Sequence, residues 1–96
     1  MQYDFEWDSQ KAKSNFTKHC VSFERAITVF RDPSAISIPD EEHSETEERW
    51  VTLGLDSSGS VLLVCHTFKM ESIALCKIRV ISARKAEKSE IMQYNE

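Results

Sequence analysis

From Trp50 to Arg84 the chain alternates strand-forming runs with turn signals, and this pattern limits what it can fold into. Trp50 to Leu55 reads as a strand. Asp56-Ser57-Ser58-Gly59 reads as a hairpin turn, with Gly59 supplying the backbone angle that other residues avoid. Val61 to Phe68 is almost continuously apolar, as in a central strand. Lys69 to Ser72 marks a second turn, and Ile73 to Arg84 a further strand with room for a bulge. Strands joined by short turns pair antiparallel, so this half of the chain forms a sheet.

The N-terminal half supplies what covers it. Tyr3 to Trp7 alternates aromatic and acidic residues and predicts a first strand. Asp8 is a suitable N-cap for a helix reaching about Lys18, with Ala12 and Phe16 on one face. Ser22 caps a second helix, and Val21 can staple against Ala26. Phe23, Ala26, Ile27 and Phe30 form its apolar stripe, and Asp32-Pro33 ends it. Ala35 to Ile38 is a short strand, with Pro39 marking an edge. Asp40 to Glu48 holds six carboxylates and reads as a solvated loop or short helical turn. Glu87 to Tyr94 predicts a terminal helix. The order describes an α+β domain, with its helices on one face and the other face open to a ligand.

Ninety-six residues, 41% of them apolar, make a single domain, residues 1–96. No apolar run is long enough to span a membrane, and acids stand where a secretory signal carries Lys or Arg. A cytoplasmic location is expected. Cys20, Cys65 and Cys76 are odd in number and far apart, which fits small buried hydrophobes better than disulfides or metal ligands. The net charge of −4 disfavours nonspecific nucleic-acid binding, but it is unevenly spread. Residues 33–76 hold two cations and eight anions, whereas residues 77–96 hold five cations and three anions. A local basic site remains open, and the acidic middle can receive a basic partner.

The run Lys77-Ile78-Arg79-Val80-Ile81-Ser82-Ala83-Arg84-Lys85-Ala86 carries cations inside a strand pattern. Sheet formation does not ask for arginine at 79 or 84, and guanidinium forks suit phosphate or carboxylate. In a regular strand Arg79, Ile81, Ala83 and Lys85 share one face, and Ile78, Val80, Ser82 and Arg84 the other. Either a bulge changes that parity or one arginine alone serves a mid-strand site. His66 lies on a face with Leu62, Val64 and Phe68. It is either a partly buried strand-end histidine or a general acid or base in RNA cleavage. Attack of a ribose 2′-hydroxyl on the adjacent phosphate needs a proton acceptor, a proton donor and cations around the phosphorane, and no metal.

Other polar residues have plainer readings beside functional ones. His19 can act as a cation at a helix C-terminus, His43 as a solvated side chain, and Glu24 as an anion at a helix N-terminus. Arg49 is either a surface ion-pair partner of Glu47 and Glu48 or a site member. There is no Walker loop, GxGxxG, HExxH or GxSxG, which disfavours P-loop, dinucleotide and zincin chemistry.

Several segments, in order and at similar spacing, also resemble one family. They are Phe5-Glu6-Trp7-Asp8, Lys11, Asn15, Lys18-His19, Val21-Ser22-Phe23-Glu24, Val29-Phe30, Asp32-Pro33, His43-Ser44, Glu48-Arg49, Gly54, His66-Thr67 and the run from Ile78 to Ala86. Together they resemble the BrnT toxins of type II toxin–antitoxin pairs. The resemblance implies a RelE-like antiparallel sheet with two N-terminal helices and a C-terminal helix. It implies RNA cleavage without a cofactor, inhibition of translation and growth arrest. It implies a BrnA-like ribbon-helix-helix antitoxin, with DNA reached only through that complex and no membrane. On this reading His66, Arg79, Arg84 and Lys85 form the catalytic set, with His19 and Arg49 in a second tier. Two departures stand out. Cys20 replaces the family's usual Gly after Lys-His, and Met70 to Cys76 makes a long hairpin. The alternatives are an inactive, partner-binding relative or a toxin with a non-RNA target such as gyrase.

Overall fold

Asp8 and Ser22 start the two N-terminal helices. The computed structural model describes residues 2–43 and 47–96, apart from the His43 side chain. The reading of His43 as solvated, and of residues 44–46 as loop or turn, lies outside the described residues. The Asp8 carboxylate accepts from the Gln10 and Lys11 amides at 2.7 and 3.2 Å, opening α1 (Ser9–His19). Ser22 Oγ accepts from the Arg25 amide at 3.1 Å, opening α2 (Phe23–Ala26). Here α2 tightens into a 3-10 helix over Ile27–Arg31, so the expected longer helix is one α turn run into a tighter segment. Between α1 and α2, Cys20 adopts the left-handed conformation at φ 58°, and its amide donates to the Phe16 carbonyl at 2.9 Å. Cysteine thus takes up the glycine-like cap at a cost of about 1–2 kcal/mol.

Five strands follow: β1 (Gln2–Glu6), β2 (Ile36–Pro39), β3 (Arg49–Leu55), β4 (Val61–Met70) and β5 (Leu75–Lys85). They form one sheet in the order β1-β5-β4-β3-β2. The apolar β4 is central, and β2 is an edge, as Pro39 suggested. β1 runs parallel to β5, so the sheet is mixed and the expected antiparallel sheet is corrected. Alternation assigns each β1 side chain to a face, but it carries no information on the direction of a neighbour some 70 residues away.

The inner face of the sheet carries the core. Val21, Phe23, Ala26 and Val29 pack on Leu62, Val64, Val80 and Ala83, all of them buried. On α1, Ala12 packs against this core, whereas Phe16, one turn on, is 54% exposed. Gly54 lies where the 3-10 helix comes closest, and a Cβ there would sit 3.1 Å from that of Val29. Among the described residues, β5 beyond Arg79 has no strand partner on its β1 side. Asn15 fills that place. Its Oδ1 accepts from the Ala83 amide at 3.0 Å, and its Nδ2 donates to the carbonyls of Ala83 and Val21 at 2.8 and 3.0 Å. One buried amide thus satisfies both backbone groups of Ala83, as a neighbouring strand would.

The C-terminal helix α3 (Lys88–Tyr94) is opened by a capping box between Glu87 and Glu90. It lies on the outer face, where Glu90 and Gln93 line a cleft with Val51, Leu53 and Leu63. The expectation that all helices share one face is therefore corrected. The Tyr94 hydroxyl donates to Asp32 at 2.5 Å and anchors the end of α3. No helix among the described residues is long and apolar enough to cross a membrane.

Candidate functional site

A bulge in β5 decides which cations share a face. Cys65 pairs with Ser82, but the next residue, His66, pairs with Val80. Ile81 is therefore the extra residue. Before it, Cys76, Ile78 and Val80 point inward; after it, Ala83 does. The bulge shifts the parity by one and brings Arg79 and Arg84 to the same, outer face. The regular-strand grouping of Arg79 with Ala83 and Lys85 is thereby corrected.

Arg79 lies within a row that crosses the outer face. Arg49 stands opposite Thr67, Thr67 opposite Arg79, and Arg79 opposite Glu6. With strands about 4.8 Å apart, the backbones of Arg49 and Arg79 are separated by about 10 Å. Two residues on, Lys69 stands directly opposite Lys77. Like charges in that relation destabilise a sheet, so folding alone gives no reason for the pair. Lys69, Lys77 and Arg79 line a cleft of about 390 Å³ together with Thr67, Phe68, Glu6, Glu47, Glu48 and Glu71. Glu47 forms an ion pair with Arg79, both side chains remaining more than 40% exposed. The sequence places Lys69 in a turn and Lys77 at the head of the cation-bearing run, without setting the two opposite each other. The signal was present: both lie four residues from Ile73, and antiparallel pairing across a hairpin centred there sets them face to face.

Arg84 is held otherwise. Its Nη1 and Nη2 donate to the two carboxylate oxygens of Glu90 at 2.9 Å each, a fork-to-fork contact that ties α3 to β5. The Glu90 carboxyl is lowered chiefly by these hydrogen bonds, with burial opposing. The same bonds raise the affinity of the guanidinium for its proton.

His66 faces inward, opposite to Arg79 and Arg84, and is only 2% exposed. Its Nδ1 lies 3.1 Å from the Thr67 carbonyl, which can only accept, so Nδ1 carries the proton. Nε2 then accepts from Thr52 Oγ1 at 2.7 Å, and the Ser37 hydroxyl donates to Thr52 at 2.7 Å. Burial pushes the imidazole below its usual pKa, with the Thr67 hydrogen bond opposing, so the ring is neutral. The Phe30 ring stands nearly perpendicular to it, with ring centres 4.9 Å apart. The structure therefore does not join His66 to Arg79 and Arg84 in one catalytic set, because alternation along β4 turns its side chain into the helix-covered side. Lys85 is exposed at the end of β5, opposite Leu62 and off the arginine face. His19 is exposed at the C-terminus of α1, again on the inner side. Arg49 alone of the second-tier residues shares a row with Arg79. Among the described residues no group of three or more His, Cys, Asp or Glu is placed to hold a metal ion.

The profile of the family described as the ribonuclease toxin BrnT of type II toxin–antitoxin systems matches residues 7–90. The chain belongs to the BrnT family. The match spans Arg49, Lys69, Lys77, Arg79 and Arg84. The crystal structure of the Brucella abortus ribonuclease toxin BrnT, at 1.1 Å resolution, aligns with a TM-score of 0.66 and 20% identity. That alignment covers 92% of this chain and 100% of the other, so the two share a fold. No curated protein matches the chain in sequence. Membership in a BrnT family of ribonuclease toxins implies RNA as the substrate class and a protein antitoxin as partner.

Proposed function

We propose that this chain is a metal-independent, RelE-like endoribonuclease toxin that blocks translation by cleaving RNA on the outer face of its sheet. The observation that supports it most is the row carrying Arg49 and Arg79 beside the opposed Lys69 and Lys77, in a chain of a ribonuclease-toxin family. Arg79, Lys69 and Lys77 neutralise the scissile phosphate, and Arg49 binds its neighbour. The 2′-hydroxyl attacks phosphorus and passes its proton to a carboxylate of the same cleft, Glu6, Glu47, Glu48 or Glu71. The P–O5′ bond breaks, the leaving oxygen takes a proton from a lysine, and a 2′,3′-cyclic phosphate remains. The carboxylates and lysines of the cleft take the proton-transfer role, as general acid or base, that the sequence offered to His66. Arg84 acts as a positioning residue, holding α3 to the sheet, and Lys85 and His19 have no part in the cleft. The partner is a BrnA-like ribbon-helix-helix antitoxin, DNA is reached only through that complex, and the toxin acts in the cytoplasm.

The test is a cell-free bacterial translation reaction followed by mapping of messenger RNA ends by primer extension. New ends with the parent protein are expected, and a companion sample of EDTA-treated naked RNA shows whether the ribosome is needed. Arg79→Ala should lower cleavage roughly 100- to 1,000-fold, the range for losing one preorganised charge-stabilising donor. Blocked translation with intact RNA would redirect the reading to another target. A second reading, an inactive partner-binding relative, is favoured by the pairing of both arginines with carboxylates, Glu47 and Glu90. It predicts no new RNA ends with any variant.

A further inference from the structure

The inner face is not wholly covered by helices. Below the core, a cavity of about 200 Å³ opens between the 3-10 helix and the sheet. Its lining is largely aromatic. Tyr3 and Phe30 stand on the β1 side with ring centres 6.2 Å apart. Trp50 and Phe68 stand on the β3–β4 side with ring centres 6.3 Å apart. Ile78, on the strand between them, and His66 form the buried floor. Two aromatic pairs across a narrow slot suit one flat ring system, and the volume is below the range of whole drug-sized ligands.

The slot also has polar groups of the right kind. The hydroxyl chain Ser37–Thr52–His66 reaches the cavity, Ser37 being exposed at its mouth. With its proton given to Thr52, the Ser37 oxygen keeps lone pairs that accept from a donor on the edge of a ring. The indole N–H of Trp50 is buried with no hydrogen-bond partner among the described residues, an uncommon state for a native polar group. Phe68 lines this slot and also the cationic cleft on the outer face, so the two sites meet at the end of β4.

We infer that this slot is a binding site for a single unstacked nucleobase, held between Tyr3–Phe30 and Trp50–Phe68 and met at its edge by Ser37. The inference rests on the ribonuclease reading and adds to it the means by which a strand of RNA is gripped. Stacking on aromatic side chains is how single-stranded RNA is commonly held, because every base has a π-face.

The probe is a fluorescein-labelled RNA hexamer, 2′-O-methylated so that it cannot be cleaved, and a matched series with one abasic position each. Binding is measured by anisotropy, and by quenching of Trp50 emission in a Trp7→Phe background. The slot predicts quenching by the hexamer and weaker binding when one particular base is removed. It predicts a loss of roughly 5- to 100-fold on Phe68→Ala or Tyr3→Ala, the range for one base–aromatic stack. Both side chains are about 40% exposed, and circular dichroism checks that each variant folds. If the hexamer binds but neither abasic positions nor these variants matter, while Arg79→Ala weakens it, the slot proposal fails and the backbone reading stands. If the parent binds no RNA, both fail. If Phe68→Ala releases a ribbon-helix-helix antitoxin but leaves RNA binding unchanged, the slot is a protein socket and the base proposal is overturned.

Discussion

β5 carries one arginine on either side of its bulge, on the same face, and the two are held in opposite ways. In the first half, from Leu75 to Arg79, the strand has neighbours on both sides, and Arg79 extends over an open cleft with an exposed carboxylate beside it. In the second half β1 has ended, Asn15 stands in for a strand, and Arg84 is forked onto Glu90 of α3. The residue type is the same, but the surroundings separate a side chain that an incoming phosphate can recruit from one committed to the fold. Exposed ion pairs contribute little, so Glu47 gives up Arg79 at small cost. The two-pronged Arg84–Glu90 contact also holds a helix in place, and its loss removes more than one interaction.

Four changes would break or sharpen that contrast. The largest effect belongs to Asn15→Ala, which takes the Asn15 partner from the amide and carbonyl of Ala83 and from the carbonyl of Val21. Urea unfolding should show a loss of about 2–4 kcal/mol, built from these three groups. A loss under about 1 kcal/mol would mean that water or a backbone shift satisfies Ala83 instead. Next comes Glu90→Gln, which should cost about 1–2 kcal/mol in the same assay and increase proteolytic nicking at α3. An unchanged midpoint would place Arg84 in the same loosely held class as Arg79.

A gain is expected at the opposite sign. Cys20→Gly relieves the left-handed conformation at an exposed position and should stabilise by about 1 kcal/mol. A loss would show that the thiol makes a compensating contact. The smallest effect is on pH dependence. The folded state holds His66 below its ordinary value of 6.5, so protonation favours the unfolded chain. Stability from this group is complete above that value and falls as pH drops from 6.5 toward the lower folded value, by at most about 1.4 kcal/mol per pH unit. His66→Gln should flatten that slope between parent and variant titrations. An identical slope would mean that the imidazole is not buried neutral.

Much of this was legible before any coordinates. The hairpins, the central β4, the edge at Pro39 and the caps at Asp8 and Ser22 all follow from local chemistry, and all are present. What local chemistry could not give was relations across the chain. Whether β1 runs parallel or antiparallel, and which face α3 takes, depend on chain paths that alternation does not encode. The strand pattern allows a bulge that brings the two arginines to one face, but nothing in Ile78 to Ala83 marks Ile81 as the extra residue. Asn15 is a single polar residue in a helix, and its role appears only when Ala83, 68 residues away, loses its strand partner. Lys69 and Lys77 were visible as residues but not as a pair, because the hairpin register that opposes them was unassigned.

The most direct test measures cleavage and stability on the same samples of parent, Arg79→Ala and Arg84→Ala. RNA ends are counted by primer extension and unfolding midpoints taken in urea. The account predicts a crossed result. Arg79→Ala loses cleavage roughly 100- to 1,000-fold with stability within about 0.5 kcal/mol of the parent. Arg84→Ala loses about 1–2 kcal/mol of stability. An Arg79→Ala protein that cleaves as the parent does would contradict the assignment of the outer-face row as the RNA site.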